Sequence, residues 1–284
     1  MENRGIAVVG GGRMGRGIAH AFLIKGAHVL LVDVNEDSLE AAQIGIRESV
    51  MKSAERDSAI NLDEALSRLQ LSTRISEVAQ CVLVIEAVPE DFALKGKILT
   101  VIEDAISSKT LVATNTSSFS IQDLALPLKY PENFLGLHFF NPVPSSLMVE
   151  IVFTTHNSLE VVDAAADWVS SIGKTPLRVA DSPGFASSRL GVILGLEAMR
   201  MLEEGVASAE DIDAAMMLGY KHPIGPLKLT DIVGLDVRLG IAEYLERHFG
   251  ERFAPPKILI DSVAAGNLGR KSGRGFYEWG SGEN

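Results

Sequence analysis

Cysteine and positive charge are both scarce in this 284-residue chain. The single cysteine, Cys81, excludes an intrachain disulfide and a zinc centre built from cysteines, and no other pattern suggests a metal site. A reducing, cytoplasmic setting is the expectation. Twenty-six Lys and Arg face 37 Asp and Glu, for a net charge of −11. Nucleic acid and anionic membrane both need clustered positive charge, so neither is an expected partner. No apolar run approaches the ~18 residues of a membrane-spanning helix. The apolar run after Arg4 is broken at Gly10-Gly11-Gly12, too soon for a secretory signal. Internal repeats and low-complexity linkers are missing too. What remains is an ordinary globular composition, 46% hydrophobic and 22% charged. At roughly 150 residues per domain, the length suggests two domains.

Short apolar runs alternate with amphipathic stretches through the first part. Strands are expected at 5–9, 28–33, 82–86, 111–114, 134–140 and 149–153, with helices at 14–25, 36–56, from Asn61 onward and at 92–107. This alternation implies βαβ units and a parallel sheet covered on both faces. The pattern changes at Ser182-Pro183-Gly184. Helices then follow at 189–204, 209–218, about 226–249 and 256–265, with one further strand at Gly275-Phe276-Tyr277. The expected fold is therefore a doubly wound α/β domain over 1–183 followed by an all-α domain over 184–284.

Gly10-Gly11-Gly12-Arg13-Met14-Gly15 matches G-x-G-x-x-G between an expected strand and an expected helix. In that context Gly10 permits a tight turn, Gly12 lets the backbone approach a pyrophosphate, and Gly15 lets helix and strand pack closely. The helix start, with Arg13 and Met14, then offers free N–H groups to phosphate. Asp33 ends the second strand, 23 residues after Gly10. A carboxylate there accepts from ribose hydroxyls and repels a 2′-phosphate, which makes the domain Rossmann-type and the cofactor NAD rather than NADP. Glu90 and Asn115 follow later strands, where open α/β sheets bind ligands. Glu90 equally suits a helix N-terminus, and Ser117 or Ser118 equally suits a helix cap.

His138 lies among apolar residues near a strand end. If the strand carrying Glu150 is its neighbour, Glu150 accepts from the ring, fixes its tautomer and makes His138 a general base. The sequence resembles the L-3-hydroxyacyl-CoA dehydrogenase family, near its short-chain 3-hydroxybutyryl-CoA members. The resemblance rests on GGGRMGRGIA at 10–19, IEAVPE at 85–90, NTSS at 115–118, GLHFFNPVP at 136–144, VEI at 149–151, DSPGF at 181–185, HPIGPLKLTDIVGLD at 222–236 and GRKSGRGFYEW at 269–279. It covers essentially the whole chain.

The resemblance implies NAD-dependent, reversible oxidation of a 3-hydroxyacyl-CoA. His138 is then the base, Glu150 its partner, and Ser117 a hydrogen-bond donor to the substrate beside the nicotinamide. Asp33 binds the adenosine ribose. Glu90, Lys95 and Asn141 line the cofactor cleft, and Arg274 stands where the family has a basic residue reaching the cofactor. Ser49, Lys52 and Arg56 border the CoA. Lys52 and Arg56 also fit a solvated helix face beside Glu48 and Glu55. In one place the chain departs from the family: Ser188 stands where the family has an asparagine that contacts the substrate. Two other readings stay open. One is a dehydrogenase of a free hydroxy acid, which needs no phosphate-binding Lys52 or Arg56. The other is an NAD-binding protein without catalysis, against which His138 and Glu150 argue. A homodimer through the helical domain is expected from the apolar segments 192–196 and 227–239.

Overall fold

The computed structural model describes residues 5–280. It divides into two compact units that meet between Ser182 and Pro183. In the first unit, eight strands form one sheet: β1 (Ile6–Val9), β2 (Val29–Val32), β3 (Leu69–Ser72), β4 (Leu83–Glu86), β5 (Leu111–Thr114), β6 (Phe134–Phe139), β7 (Met148–Phe153) and β8 (Thr175–Ala180). Their order is β3-β2-β1-β4-β5-β6-β7-β8. Every residue of β1, β2, β4, β5 and β6 is buried. Both faces are therefore covered, as their unbroken apolar runs require.

The strand order reverses at β1, between β2 and β4. That is the switch point at which open α/β sheets place their ligand crevice. Crossovers are made by α1 (Arg13–Leu23), α2 (Glu36–Arg56), α4 (Phe92–Ala105) and α6 (Leu159–Ser171). The short α3 (Leu62–Ser67) starts with Asn61 accepting from Glu64 N, and α5 (Ile121–Ala125) with Ser120 accepting from Asp123 N.

The sheet is not wholly parallel. β7 runs antiparallel to β6, which it joins through the short connection 140–147, and β8 then runs parallel to β7. A connection this short cannot return the chain for a parallel strand, so it forces the reversal. Two strands carry little sequence signal: β3 pairs only with β2, and β8 is a sheet edge that is largely exposed and contains Pro176. Cys81 packs just before β4, where burial pushes its thiol up to about 11.

The second unit consists of α7 (Ser187–Glu203), α8 (Ala209–Ala214), α9 (Pro226–Val233), α10 (Leu235–Phe249) and α11 (Lys257–Ala264). Its core gathers Val192, Leu196, Met199, Leu227, Leu235, Leu245 and Phe253. The expected single helix over 226–249 is broken at Gly234, whose φ of 106° no helix contains. The expected strand at Gly275-Phe276-Tyr277 does not form. The N–H groups of Phe276 and Tyr277 donate to the two carboxylate oxygens of buried Asp231, each at 2.9 Å, and only isolated bridges flank the segment. Among the described residues no helix is long and apolar enough to cross a membrane.

Candidate active site

The three glycines of the first turn have three different surroundings. Gly10 has φ 112°, and a Cβ there would lie 2.6 Å from the Ala87 carbonyl oxygen. A Cβ on Gly15 would lie 1.8 Å from the Gly10 carbonyl oxygen, so α1 can approach the turn only without a side chain. A Cβ on Gly12 would meet nothing within 4 Å. The protein itself therefore does not require glycine at 12, and the open space there suits a ligand that comes close to the backbone. Gly12 and Arg13 are exposed at the start of α1, whose first turn carries no acidic residue. The positive end of the helix is thus open to an anion. Asp33 holds this turn, since Gly11 N donates to its Oδ2 at 2.7 Å. The donors and the acid fit a dinucleotide.

A buried ionic network stands beside this turn. Glu86 and Lys95 are both fully buried and pair at 2.9 Å. Glu86 also accepts from Val88 N at 2.7 Å and from the Thr114 hydroxyl at 2.5 Å. Lys95 donates to the Val88 carbonyl and lies 3.4 Å from Glu90. Glu90 in turn gathers the loop after β5: Thr116 Oγ1 (2.6 Å), Ser117 N (2.9 Å) and Ser117 Oγ (3.2 Å) all donate to it. Lys95 therefore does not line the cleft as the family resemblance implies. Its surface is wholly covered, and its charge is shared between Glu86 and Glu90. Asn115 is likewise turned to the protein, its Oδ1 accepting from Phe139 N at 3.0 Å and tying β5 to β6. Sequence alone assigns no role to Glu86, Thr114 or Thr116. The available signal was an acid closing an otherwise apolar strand.

His138 and Glu150 face each other directly across the antiparallel β6–β7 pair. Opposed residues of such a pair point to the same side of the sheet. His138 Nδ1 and Glu150 Oε2 are 2.8 Å apart, and Glu150 is fully buried. A carboxylate only accepts, so the proton of the neutral ring sits on Nδ1 and the lone pair on Nε2. The Phe140 ring lies 4.4 Å from the imidazole. Asn141 follows, exposed, in the connection to β7. That connection is pinned by buried Lys174, which donates to the carbonyls of Val143 (2.7 Å) and Ser146.

Ser49, Lys52 and Arg56 lie on α2. Ser49 Oγ donates back to the Gly45 carbonyl at 2.8 Å. Lys52 and Arg56 are exposed and form no ion pair among the described residues, as both a phosphate-binding pair and a solvated helix face require. Ser188 and Arg274 belong to the second unit. Ser188 is in the first turn of α7, and Arg274 pairs with Glu278 at 3.1 Å.

A sheet that reverses order at β1, a three-glycine turn opening a helix there and an acid closing β2 together define a dinucleotide-binding domain. The family described as 3-hydroxyacyl-CoA dehydrogenase, NAD binding domain, matches residues 5–182, and the corresponding C-terminal domain matches 184–279. The 3-hydroxybutyryl-CoA dehydrogenase of Mycobacterium tuberculosis is 39% identical over 96% of this chain and 98% of its own. The mitochondrial hydroxyacyl-coenzyme A dehydrogenase of Sus scrofa is 37% identical over 96% of this chain and 90% of its own. The crystal structure of (S)-3-hydroxybutyryl-CoA dehydrogenase from Ralstonia eutropha superposes with a TM-score of 0.94 at 36% identity, covering 98% of this chain and 99% of that one. The chain belongs to the 3-hydroxyacyl-CoA dehydrogenase family and is an NAD-dependent oxidoreductase.

Proposed function

We propose that this enzyme reversibly oxidises an (S)-3-hydroxyacyl-CoA of short acyl chain, such as 3-hydroxybutyryl-CoA, to the 3-ketoacyl-CoA. The observation that carries the reading is the His138–Glu150 pair at 2.8 Å, held in register by two strands. NAD, when bound, supplies the hydride acceptor. His138 Nε2 takes the proton of the 3-hydroxyl, and Glu150 stabilises the imidazolium that forms. In the reverse direction the imidazolium returns the proton to the forming alkoxide. Such general acid–base help is worth about 10²–10⁴-fold in rate.

Ser117, held to Glu90 by its backbone N–H, turns its hydroxyl from Glu90 to the substrate oxygen, and Ser188 stands in for the family's asparagine toward the same substrate. The Gly10–Gly15 turn, Arg13, Met14, Asp33, Glu90, Asn141 and Arg274 hold the cofactor, with Lys95 and Asn115 behind them. Exposed Lys52 and Arg56, with Ser49, meet the phosphates of CoA, which favours a CoA ester over a free hydroxy acid. Residues 1–183 bind NAD, and 184–284 serve dimerisation and the substrate cleft. The enzyme works as a homodimer in a reducing cytoplasm. A gel-filtration mass near that of one chain at micromolar concentration overturns the dimer.

Following NADH absorbance at 340 nm with acetoacetyl-CoA tests the activity. Steady loss of absorbance is expected. A free hydroxy acid oxidised with NAD, in place of any reaction with acetoacetyl-CoA, supports the reading of a free hydroxy acid dehydrogenase.

A further inference from the structure

The connection 140–147 holds no helix or strand, yet it joins the two halves of the proton-transfer pair. His138 lies two residues before it and Glu150 three residues after it. Within it, the N–H groups of Ser145 and Ser146 donate to the Pro142 carbonyl. Two of its other carbonyls, those of Val143 and Ser146, accept from the ammonium of Lys174. Lys174 is only 8% exposed, and no carboxylate among the described residues lies within 4.0 Å of it. A buried cation answered by carbonyl groups alone is costly, and burial lowers its pKa accordingly. An apolar side chain would avoid that cost, but it could not hold the two carbonyls.

The same connection presses on α1. Val143 is buried, and a Cβ on Gly17 would lie 2.8 Å from the Val143 Cβ and 2.9 Å from its Cγ2. Helix and connection can meet this closely only because residue 17 has no side chain. Gly17 stands two residues beyond Gly15, in the helix that the dinucleotide turn opens. Burial, and to a smaller extent the Lys174 charge, hold the pKa of His20 on the next turn of α1 at about 4, so the ammonium too lies near this helix. Thr175 N, beside Lys174, donates to the Leu147 carbonyl at 2.8 Å and ties the far end of the connection to β8.

We propose that Lys174 is a positioning residue for the coupled hydride and proton transfer: by clamping the connection 140–147 against α1, it sets how far the His138 imidazole stands from a nicotinamide cofactor held at the start of that helix. This rests on the dehydrogenase reading. The hydride and the proton leave adjacent atoms of one alcohol, its carbon and its oxygen, so acceptor and base must keep a fixed separation. Through the sheet that separation is set only indirectly, because β4 and β5 lie between β1 and β6. The contact of Val143 with Gly17 joins the two sides directly, and Lys174 holds Val143 there. A misplacement of about 1 Å can cost about 10²-fold in rate.

The test assays the parent, Lys174→Met, Lys174→Arg and Gly17→Ala with acetoacetyl-CoA and NADH, well below each melting temperature. Fluorescence quenching gives the NADH Kd, and NADH deuterated at the transferred position gives the isotope effect on kcat. In Lys174→Met, kcat should fall about 10- to 100-fold while the NADH Kd changes less than about threefold. The isotope effect should equal or exceed the parent's, because transfer itself is slowed. Lys174→Arg keeps the charge and donors and should be intermediate. Gly17→Ala pushes Val143 away with Lys174 intact and should show the same signature, so it decides the matter if Lys174→Met does not fold. A kcat within about threefold of the parent's overturns the proposal. So does a smaller isotope effect, which would place the loss in another step. A loss of NADH binding equal to the loss of kcat overturns it too, since Lys174 would then only support the fold around α1. A parent inert on acetoacetyl-CoA overturns the dehydrogenase reading itself.

Discussion

Replacing Glu150 by glutamine removes one charge and almost no volume. The amide oxygen can still accept from His138 Nδ1, so the ring keeps its orientation. What is lost is the field of a fully buried carboxylate on the imidazolium that forms as the hydroxyl proton is taken. Unit charges roughly 4 Å apart attract by about 4 kcal/mol at an effective dielectric constant near 20. The net worth of a hydrogen bond to a charged group is about 1.5–3 kcal/mol. Taking about 3–4 kcal/mol, kcat should fall about 10²- to 10³-fold. Glu150 has no exposed surface with which to touch a cofactor, so NADH affinity should stay close to the parental value. Steady-state assay at 340 nm gives the first quantity and quenching of NADH fluorescence the second. A kcat within about threefold of the parent would refute the reasoning. An equal loss of NADH binding would show instead that the pair supports the fold of the sheet.

Three further outcomes follow from the same structure. Gly12→Ala should melt close to the parent but bind NADH at least tenfold more weakly, whereas Gly15→Ala, whose Cβ would overlap the Gly10 carbonyl oxygen, should unfold the turn; circular dichroism and NADH titration separate the two. Lys95→Met strands the buried Glu86 carboxylate and should cost about 3–5 kcal/mol in urea unfolding, with loss of activity as Glu90 releases the Ser117 loop. Burial, with a smaller contribution from the charge of Lys174, lowers His20 from 6.5 to about 4. The unfolded chain therefore takes up this proton before the folded one does. Its contribution, about 3 kcal/mol at most, is complete above pH 6.5 and is lost as pH falls toward 4. Urea midpoints at pH 7.5 and pH 5 should differ less in His20→Gln than in the parent, and an equal difference would sink the assignment.

Much of the dinucleotide turn is legible in the sequence because its constraints are local. Gly10 needs a positive φ and Gly15 a missing side chain, and both demands show as residue identity. The cap expected at Ser117 or Ser118 falls at Ser120, but the helix start at Asn61 is readable for the same reason. β3 and β8 are not, because an edge strand of four or six half-exposed residues owes its conformation to the neighbour it pairs with. Gly275–Tyr277 has strand composition, yet its N–H groups go to Asp231, which lies more than forty residues earlier. Gly234 looks like one glycine in a long helical stretch until its φ of 106° divides that stretch.

The sequence by itself determines the class of fold, the three-glycine turn, the acid that closes β2 and the presence of an imidazole and a carboxylate on neighbouring strands. Each depends on local backbone freedom or on the chemistry of one side chain. Tertiary structure alone decides which charges meet. The antiparallel reversal after β6 sets Glu150 opposite His138. The approach of α4 to β4 buries Lys95 against Glu86 and turns an expected cofactor contact into a support for Glu90. The packing of α10 on α7 buries Arg238 beside Gly191 with its Nε unpaired. Coulombic and hydrogen-bond energies depend on distance and burial, and for residues far apart in the chain those are set only when the elements pack.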